Sequence, residues 1–490
     1  MNLFRRNITC QNELAANVFI LFVALAVGLI ISSGLFLPHQ ILMLAGLFVL
    51  LIILFDKPGV LALIIIVLMF IPLFLGSIFK VKFQWLVEPL IIILFLSNIL
   101  KKILYKHENC AVSRKNPFLI PVTLYFAVVF LNYIRNPVPA TSFLALPSEM
   151  GGFRHYYENF LLMLLFFTFA DLVVSESNFA ERGINVLFWI LTITTIVGLL
   201  TLFVEPIQSL ITQLQHGGIF NTRAMATGVW AKDIDVRSGA FHSLLLGSVT
   251  APGILLLVSG AVRMKKICKI ILFLMFAFGL IFSGVRNFFF GTIAALILLG
   301  FQQRNKQVFL LMIIGAILGY ISYYYSPLLL PQQFQRLFWL KGGFYEIAPA
   351  RAPLFSIYWE SFKRHPFLGV GFGTTEVSGA RLASYEYYLR TNLRYGGHGF
   401  WLGTLYTKGL VALIPFLWIL GVGIYSAFKL SKVKENNTGS IAVFCLLFLV
   451  YCIIPFSVGG IETYNLLFLI VGILSGLHMK YRSGKRSMLA

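Results

Sequence analysis

The sequence predicts an all-α polytopic membrane protein with about 14 transmembrane helices and one large outward loop containing short helices. Three observations predict this: the composition, the recurrence of long apolar stretches, and the way positive charge alternates between connectors. Apolar residues make up 59% of the 490-residue chain and charged residues 12%, where a soluble domain carries about 25% charged. A water-soluble protein of this length would need several domains with polar surfaces, and there is too little polar material to cover them. About 20 apolar residues cross a hydrocarbon core about 30 Å thick as a helix, which satisfies its own backbone there.

Spans are expected near 15–36, 38–55, 58–78, 86–105, 117–134, 158–175, 184–205, 240–261, 267–284, 287–302, 308–325, 400–428, 440–456 and 461–479. The first is read as a retained span. Pro38 breaks the apolar run, no small-residue cleavage pattern follows, and a second span comes at once. The chain then divides into four parts: residues 1–239 with about seven spans, 240–325 with the eighth to eleventh, the large loop 326–399, and 400–490 with the last three.

Orientation follows the placement of Lys and Arg. With Arg5 and Arg6 inside, the inner connectors hold Lys57, then Lys101, Lys102, Lys106, Arg114 and Lys115, then Arg182. Further along come Arg263, Lys265, Lys266 and Lys269, then Arg304 and Lys306, then Lys429, Lys432 and Lys434. The tail adds Lys480, Arg482, Lys485 and Arg486. Both termini are therefore expected in the cytoplasm. The net charge of +21 is in larger part the attraction of these connectors to an anionic leaflet, and nucleic acid is not expected as a partner. Cys10, Cys110, Cys268, Cys445 and Cys452 all fall in inner connectors or spans, which argues against disulfides and zinc.

The remaining positive charge sits on the side that topology disfavours, and there arginine dominates. Outer segments hold Arg135, Arg154, Arg223, Arg237, Arg286, Arg336, Arg351, Arg364, Arg381, Arg390 and Arg394, against Lys80, Lys82, Lys232, Lys341 and Lys363. Orientation needs only a charge; a planar fork of donors suits phosphate and carboxylate. The plainer alternative is that long loops tolerate charge and that each arginine pairs with a local acid.

Within the large loop, Pro353 suits the first turn of a helix and Pro366 its end. Between them Phe355, Trp359 and Phe362 recur at helical spacing. That pattern fits a helix on the membrane surface or one packed on the bundle. Gly369, Gly371 and Gly373 follow; with no preceding strand they do not form a nucleotide loop. The loop closes with Arg394-Tyr395-Gly396-Gly397-His398-Gly399-Phe400-Trp401. His398 stands where a wet surface meets a dry one. Nearby arginines favour its neutral form, able to accept a proton as a general base. The alternative is an interfacial histidine hydrogen-bonded to backbone. Inside the spans, Glu88 and Asp171 are expected to reach water from near span ends, and Lys408 to face a polar cavity or snorkel outward. The polar investment lies in the outward loops, which favours chemistry at that face over carriage through the bilayer.

These pieces, in this order, resemble the O-antigen ligase and polysaccharide polymerase superfamily, bacterial membrane glycosyltransferases of the C type. Arg237-Ser238-Gly239-Ala240-Phe241 is similar to that family's Arg–small–Gly–x–Phe lead-in to a span. Ser283-Gly284-Val285-Arg286, followed by an apolar run with Gly291, resembles its Ser-Arg turn between spans. Arg351, Trp359 and His365-Pro366-x-x-Gly369-x-Gly371 resemble the start of its periplasmic loop, and His398 with Gly409-Leu410 its end. Two departures stand out: Gly399 occupies a position where the family often has Asn, and Gly284 and Val285 separate Ser283 from Arg286.

The resemblance implies a bacterial inner-membrane enzyme that moves a glycan, at the periplasmic face, from an undecaprenyl-diphosphate carrier to an acceptor sugar hydroxyl. The acceptor would be carrier-linked, making a polymerase, or lipid A–core, making a ligase; a lipid-linked oligosaccharide flippase is the non-enzyme alternative. On this reading Arg237 and Arg351 hold the diphosphate, Arg154, Arg286 and Arg394 support them, and His398 is the catalytic base. Inversion at the anomeric carbon is expected without a cofactor or metal, since the outer segments contain no carboxylate cluster for Mg²⁺.

Overall fold

The computed structural model describes residues 57–70, 84–105, 115–135, 137, 153–203, 243–283, 285–303, 352–371, 400–433, 437–458 and 464–487. Twelve helices occur among them: α1 (Pro58–Phe70), α2 (Gln84–Tyr105), α3 (Leu119–Arg135), α4 (Phe153–Ser175), α5 (Phe179–Phe203) and α6 (Ser243–Ser259), then α7 (Lys266–Ser283), α8 (Arg286–Gln303), α9 (Ala352–Arg364), α10 (Phe400–Leu430), α11 (Thr438–Val458) and α12 (Tyr464–Ser487). All but α9 fall on expected spans, and the described residues contain no strand. The expected spans at 15–36, 38–55 and 308–325 lie outside the described residues. Five of the helices are long and apolar enough to cross a membrane, in α4, α5, α7, α10 and α11.

The helices pack as a bundle. α12 lies along α4, and α10 lies between α3 and α11. α11 also packs on α8, while α6 joins α5, α7, α8 and α11. The interior is apolar and aromatic, with Phe166, Phe169, Phe188, Phe276, Phe288 and Phe416 fully enclosed. The outer surface is apolar too: Ile120, Leu124, Phe130, Leu131 and Ile134 are exposed on α3, and Ile267, Ile270, Ile271 and Leu274 on α7. Exposed apolar stripes of this length are what lipid-facing helices present.

Among the described residues, several of the basic connectors meet at one end of this bundle. There Lys480 Nζ donates to the Ser177 carbonyl at 2.8 Å and Arg482 to that of Lys115 at 2.9 Å. Gln302 reaches Ser431 at 2.9 Å, Asn437 reaches the Ala261 carbonyl at 2.9 Å, and Arg182 pairs with Glu176 at 2.6 Å. The opposite end, here the loop end, carries Arg135, the N-terminus of α4, the Ser283–Arg286 turn and the end of α11.

Two expectations about charges in spans are corrected. Glu88 and Asp171 do not reach water from within the bundle; both are buried, and Asp171 accepts from Asn98 at 3.5 Å. A carboxylate near the end of a helix's own apolar run is still enclosed when neighbouring helices extend past it.

Candidate functional site at the loop end

The expected span at 400–428 is not one straight helix. Gly409 inside α10 has φ 70° and ψ −173°, far from helical values. On a straight helix the 16 positions from Phe400 to Phe416 would span about 24 Å. Their rings instead lie 4.7 Å apart, with Trp401 5.7 Å from Phe416. The chain therefore folds into a V. Phe400–Lys408 is a re-entrant limb, and Leu410–Leu430 is the spanning limb, about 30 Å long and matched to a hydrocarbon core. Phe400 also packs on Phe456 at 4.7 Å, inside the loop end of α11.

A break of this kind strips the backbone of partners. In a continuous helix Leu410 and Val411 would donate to Tyr406 and Thr407. The segment after α9 inserts between them and replaces those two bonds with four. Leu410 N–H donates to the Pro366 carbonyl at 2.9 Å and Val411 N–H to that of Phe367 at 3.1 Å. In return Val370 N–H donates to the Tyr406 carbonyl and Gly371 N–H to that of Thr407, each at 2.9 Å. Two donors of the spanning limb and two acceptors of the re-entrant limb thereby regain partners.

Glycine is required on each side of the joint. A Cβ on Gly409 would strike the Phe367 carbonyl, and one on Gly369, which has φ +63°, would meet the backbone of Tyr406–Lys408. Arg135, at the end of α3, donates to the Gly369 carbonyl at 3.2 Å and holds the docked segment from outside.

Lys408, one residue before the break, neither snorkels outward nor lies exposed. It is 5% exposed, and its ammonium donates to the Tyr125 hydroxyl at 2.6 Å and to Asn159 Oδ1 at 3.2 Å. The Tyr125 hydroxyl in turn donates to Asn159 Oδ1 at 3.5 Å. Tyr125 comes from α3 and Asn159 from α4, so three helices meet at one cation.

The helix in the large loop resolves an open alternative. α9 packs on α10 through buried Tyr358, whose ring lies 4.8 Å from Tyr406. Its other face leaves Trp359 and Glu360 exposed; Lys363 bonds Glu360 at 2.8 Å and holds its carboxyl below the usual range. α9 is thus a helix docked on the bundle.

Of the expected site residues, Arg286 stands at the first turn of α8, partly exposed at the loop end. Ser283 before it is buried and caps the turn, donating to the Leu280 carbonyl at 2.7 Å and accepting from Val285 N–H at 3.3 Å. Arg154 lies in the first turn of α4, also at the loop end. Arg237, Arg351, Arg394 and His398 lie outside the described residues. Sequence reasoning missed Tyr125 and Asn159 as partners of Lys408. No local pattern points to them, whereas the bend of α10 does leave a signal in length: 31 residues of helix exceed the roughly 20 needed to span.

Residues 270–417 match the family model of O-antigen ligase, under half of the chain. The matched stretch begins inside α7, contains α8, α9, the docked segment and the re-entrant limb, and ends within the spanning limb. It supports the resemblance to the O-antigen ligase and polysaccharide polymerase superfamily drawn from the motifs. No curated protein matches the chain.

Proposed function

Taking the O-antigen ligase match over residues 270–417 as premise, we propose that this protein is a membrane glycosyltransferase acting at its loop end. It moves a glycan from an undecaprenyl-diphosphate carrier to a hydroxyl of an acceptor sugar, and the acceptor is a second carrier-linked chain, which makes it a polysaccharide or O-antigen polymerase. The alternative acceptor within this chemistry is lipid A–core. The observation that carries the reading is the coincidence of the family match with the structural unit at the loop end: the Ser283–Arg286 turn, α9, the docked segment and the V of α10.

In this reading Arg237 and Arg351 bind the diphosphate with forked donors, which strengthen as charge develops on the leaving oxygen. Arg154, Arg286 and Arg394 add positive potential. His398 takes the proton as the acceptor oxygen bonds to the anomeric carbon. The bond from that carbon to the phosphate oxygen breaks, and its electron pair leaves with the carrier diphosphate. Attack opposite the leaving group inverts the anomeric centre, and neither a metal nor another cofactor takes part.

A flippase would favour free half-helix ends around a substrate cavity, since broken helices in transporters direct their unpaired ends at the cargo. At Gly409 those ends are occupied by the backbone of Pro366–Gly371, which supports the enzyme reading.

The test is an assay of purified protein with carrier-linked glycan, with and without lipid A–core. A ladder of longer carrier-linked chains is expected without lipid A–core. His398→Ala is expected to abolish it, by about 100-fold or more, while carrier binding stays within a few-fold. A product formed only with lipid A–core would make the protein a ligase, and full turnover by the variant would remove His398 as base.

A further inference from the structure

We infer that Lys408 is a positioning residue: its buried ammonium, tied to Tyr125 and Asn159, sets the angle between the two limbs of α10 and so the approach of the chain that enters the bundle at Phe400. The consequence for turnover rests on the glycosyltransferase reading, whereas the geometry does not.

The argument begins at the hinge. Gly409 can adopt φ/ψ values closed to other residues, so the joint itself permits many angles. The far end of the re-entrant limb is held by ring packing of Phe400 and Trp401 on Phe416 and Phe456. Ring contacts tolerate sliding, while the Trp401 indole donates to the Ile453 carbonyl at 3.4 Å and ties the limb to α11. At the apex the four backbone bonds tie both limbs to the docked segment, and Lys408, the residue next to it, adds side-chain bonds that tie the re-entrant limb to α3 and α4.

A buried ammonium is a poor choice for stability alone. Its desolvation costs several kcal/mol per ion, and a well-packed apolar side chain is often as stabilising or more so. What an ammonium held by hydrogen bonds supplies is a single geometry, because leaving Tyr125 and Asn159, both neutral acceptors, strips the charge of polar groups that solvate it in an apolar interior. The partners come from two different helices: Tyr125 lies at the centre of α3, and Asn159 in the second turn of α4. α3 grips the joint a second time through Arg135, which holds the docked Gly369 carbonyl. The limb, the docked segment and α3 therefore cannot move independently. Arg394 and His398 precede Phe400 in the sequence, so the limb's angle sets the position of the residue to which their segment is joined.

The test measures geometry and turnover separately. A Cβ at Gly403, on the re-entrant limb, meets nothing within 4 Å, and neither does one at Gly421, on the spanning limb. Gly403→Cys and Gly421→Cys, in a full-length chain whose native cysteines are alanine, accept nitroxides there, and dipolar EPR reads the distance between the limbs. In the parent a narrow distribution is expected. Lys408→Met, of similar length without charge, should broaden and shift it. It should also lower kcat by about 100-fold, the scale of a small misplacement of reacting groups, with KM within about threefold.

Should Lys408→Met not fold, Tyr125→Phe removes only the hydroxyl, and the same change of distribution is expected in milder form. An unchanged distribution in the folded variant overturns the inference whatever turnover does. A broadened distribution with parental kcat overturns the link from limb angle to catalysis. A parent that makes no product with either acceptor refutes the glycosyltransferase reading instead, while the distance measurement still decides the clamp.

Discussion

The contact of α12 with α4 and the joint at Gly409 both depend on glycine, in opposite ways. Gly472 and Gly476 stand one turn apart on α12, and a Cβ on either would press on α4: on the Phe166 carbonyl for Gly472, and on Val173 and the Ala170 carbonyl for Gly476. Both lie within regular helix. Their function is closeness, the small-xxx-small packing by which membrane helices gain van der Waals contact in the absence of a hydrophobic drive between them. Gly409 is needed for closeness and also for its conformation, since φ +70° is strained for any residue with a Cβ. One region uses glycine to bring two intact helices together. The other uses it to break a helix and let a loop repair the break. A packing contact can be relaxed by sliding; a backbone exchange of four hydrogen bonds is either made or not.

That difference predicts a ranking. Gly409→Ala should have the largest effect, because it combines the strain of a backbone region open essentially to glycine alone, about 1–3 kcal/mol, with a collision against the Phe367 carbonyl that no side-chain rotation relieves. Loss of the docked segment is expected, read as a broadened distance between positions 403 and 421 and as loss of product. An unaltered distance would mean that the joint tolerates a Cβ and that the comparison is wrong.

Gly476→Leu should cost less, about 1–3 kcal/mol for overpacking a helix contact. Its melting temperature in detergent should fall while the 403–421 distance stays as in the parent. A change in that distance would show that the two regions are mechanically coupled. The smallest effect belongs to Lys363→Ala. Its pair with Glu360 is exposed on both sides, and surface pairs of this kind contribute little. No measurable shift of melting temperature is expected, and one of several degrees would point to a further role for the outer face of α9.

How much of this was legible in the sequence varies with the kind of force involved. α9 was readable from Pro353, Pro366 and the aromatic spacing between them, since caps and periodicity are local. The described spans were readable because burial in lipid requires an apolar run of known length. Which partner each helix chose was not, and so Glu88 and Asp171, taken to reach water, are enclosed by neighbours. Lys408 stands out as a charge within an apolar span, but its partners stand 283 and 249 positions away on α3 and α4, and no local pattern joins them. The bend of α10 left one trace, a helical stretch too long for its task, while Gly409 by itself looks like any tolerated helical glycine.

By itself, then, the sequence determined the helical class of the molecule, the order of its described helices, the helix between Pro353 and Pro366 and the motifs that relate it to O-antigen ligases. These rest on side-chain solvation and backbone preference, which each residue carries with it along the chain. The tertiary structure decided that α10 is a V, that Pro366–Gly371 repairs its break, and that Lys408 is held by Tyr125 and Asn159. These rest on pairings between residues hundreds of positions apart. A hydrogen bond of about 3 Å exists only once packing has brought its two ends together.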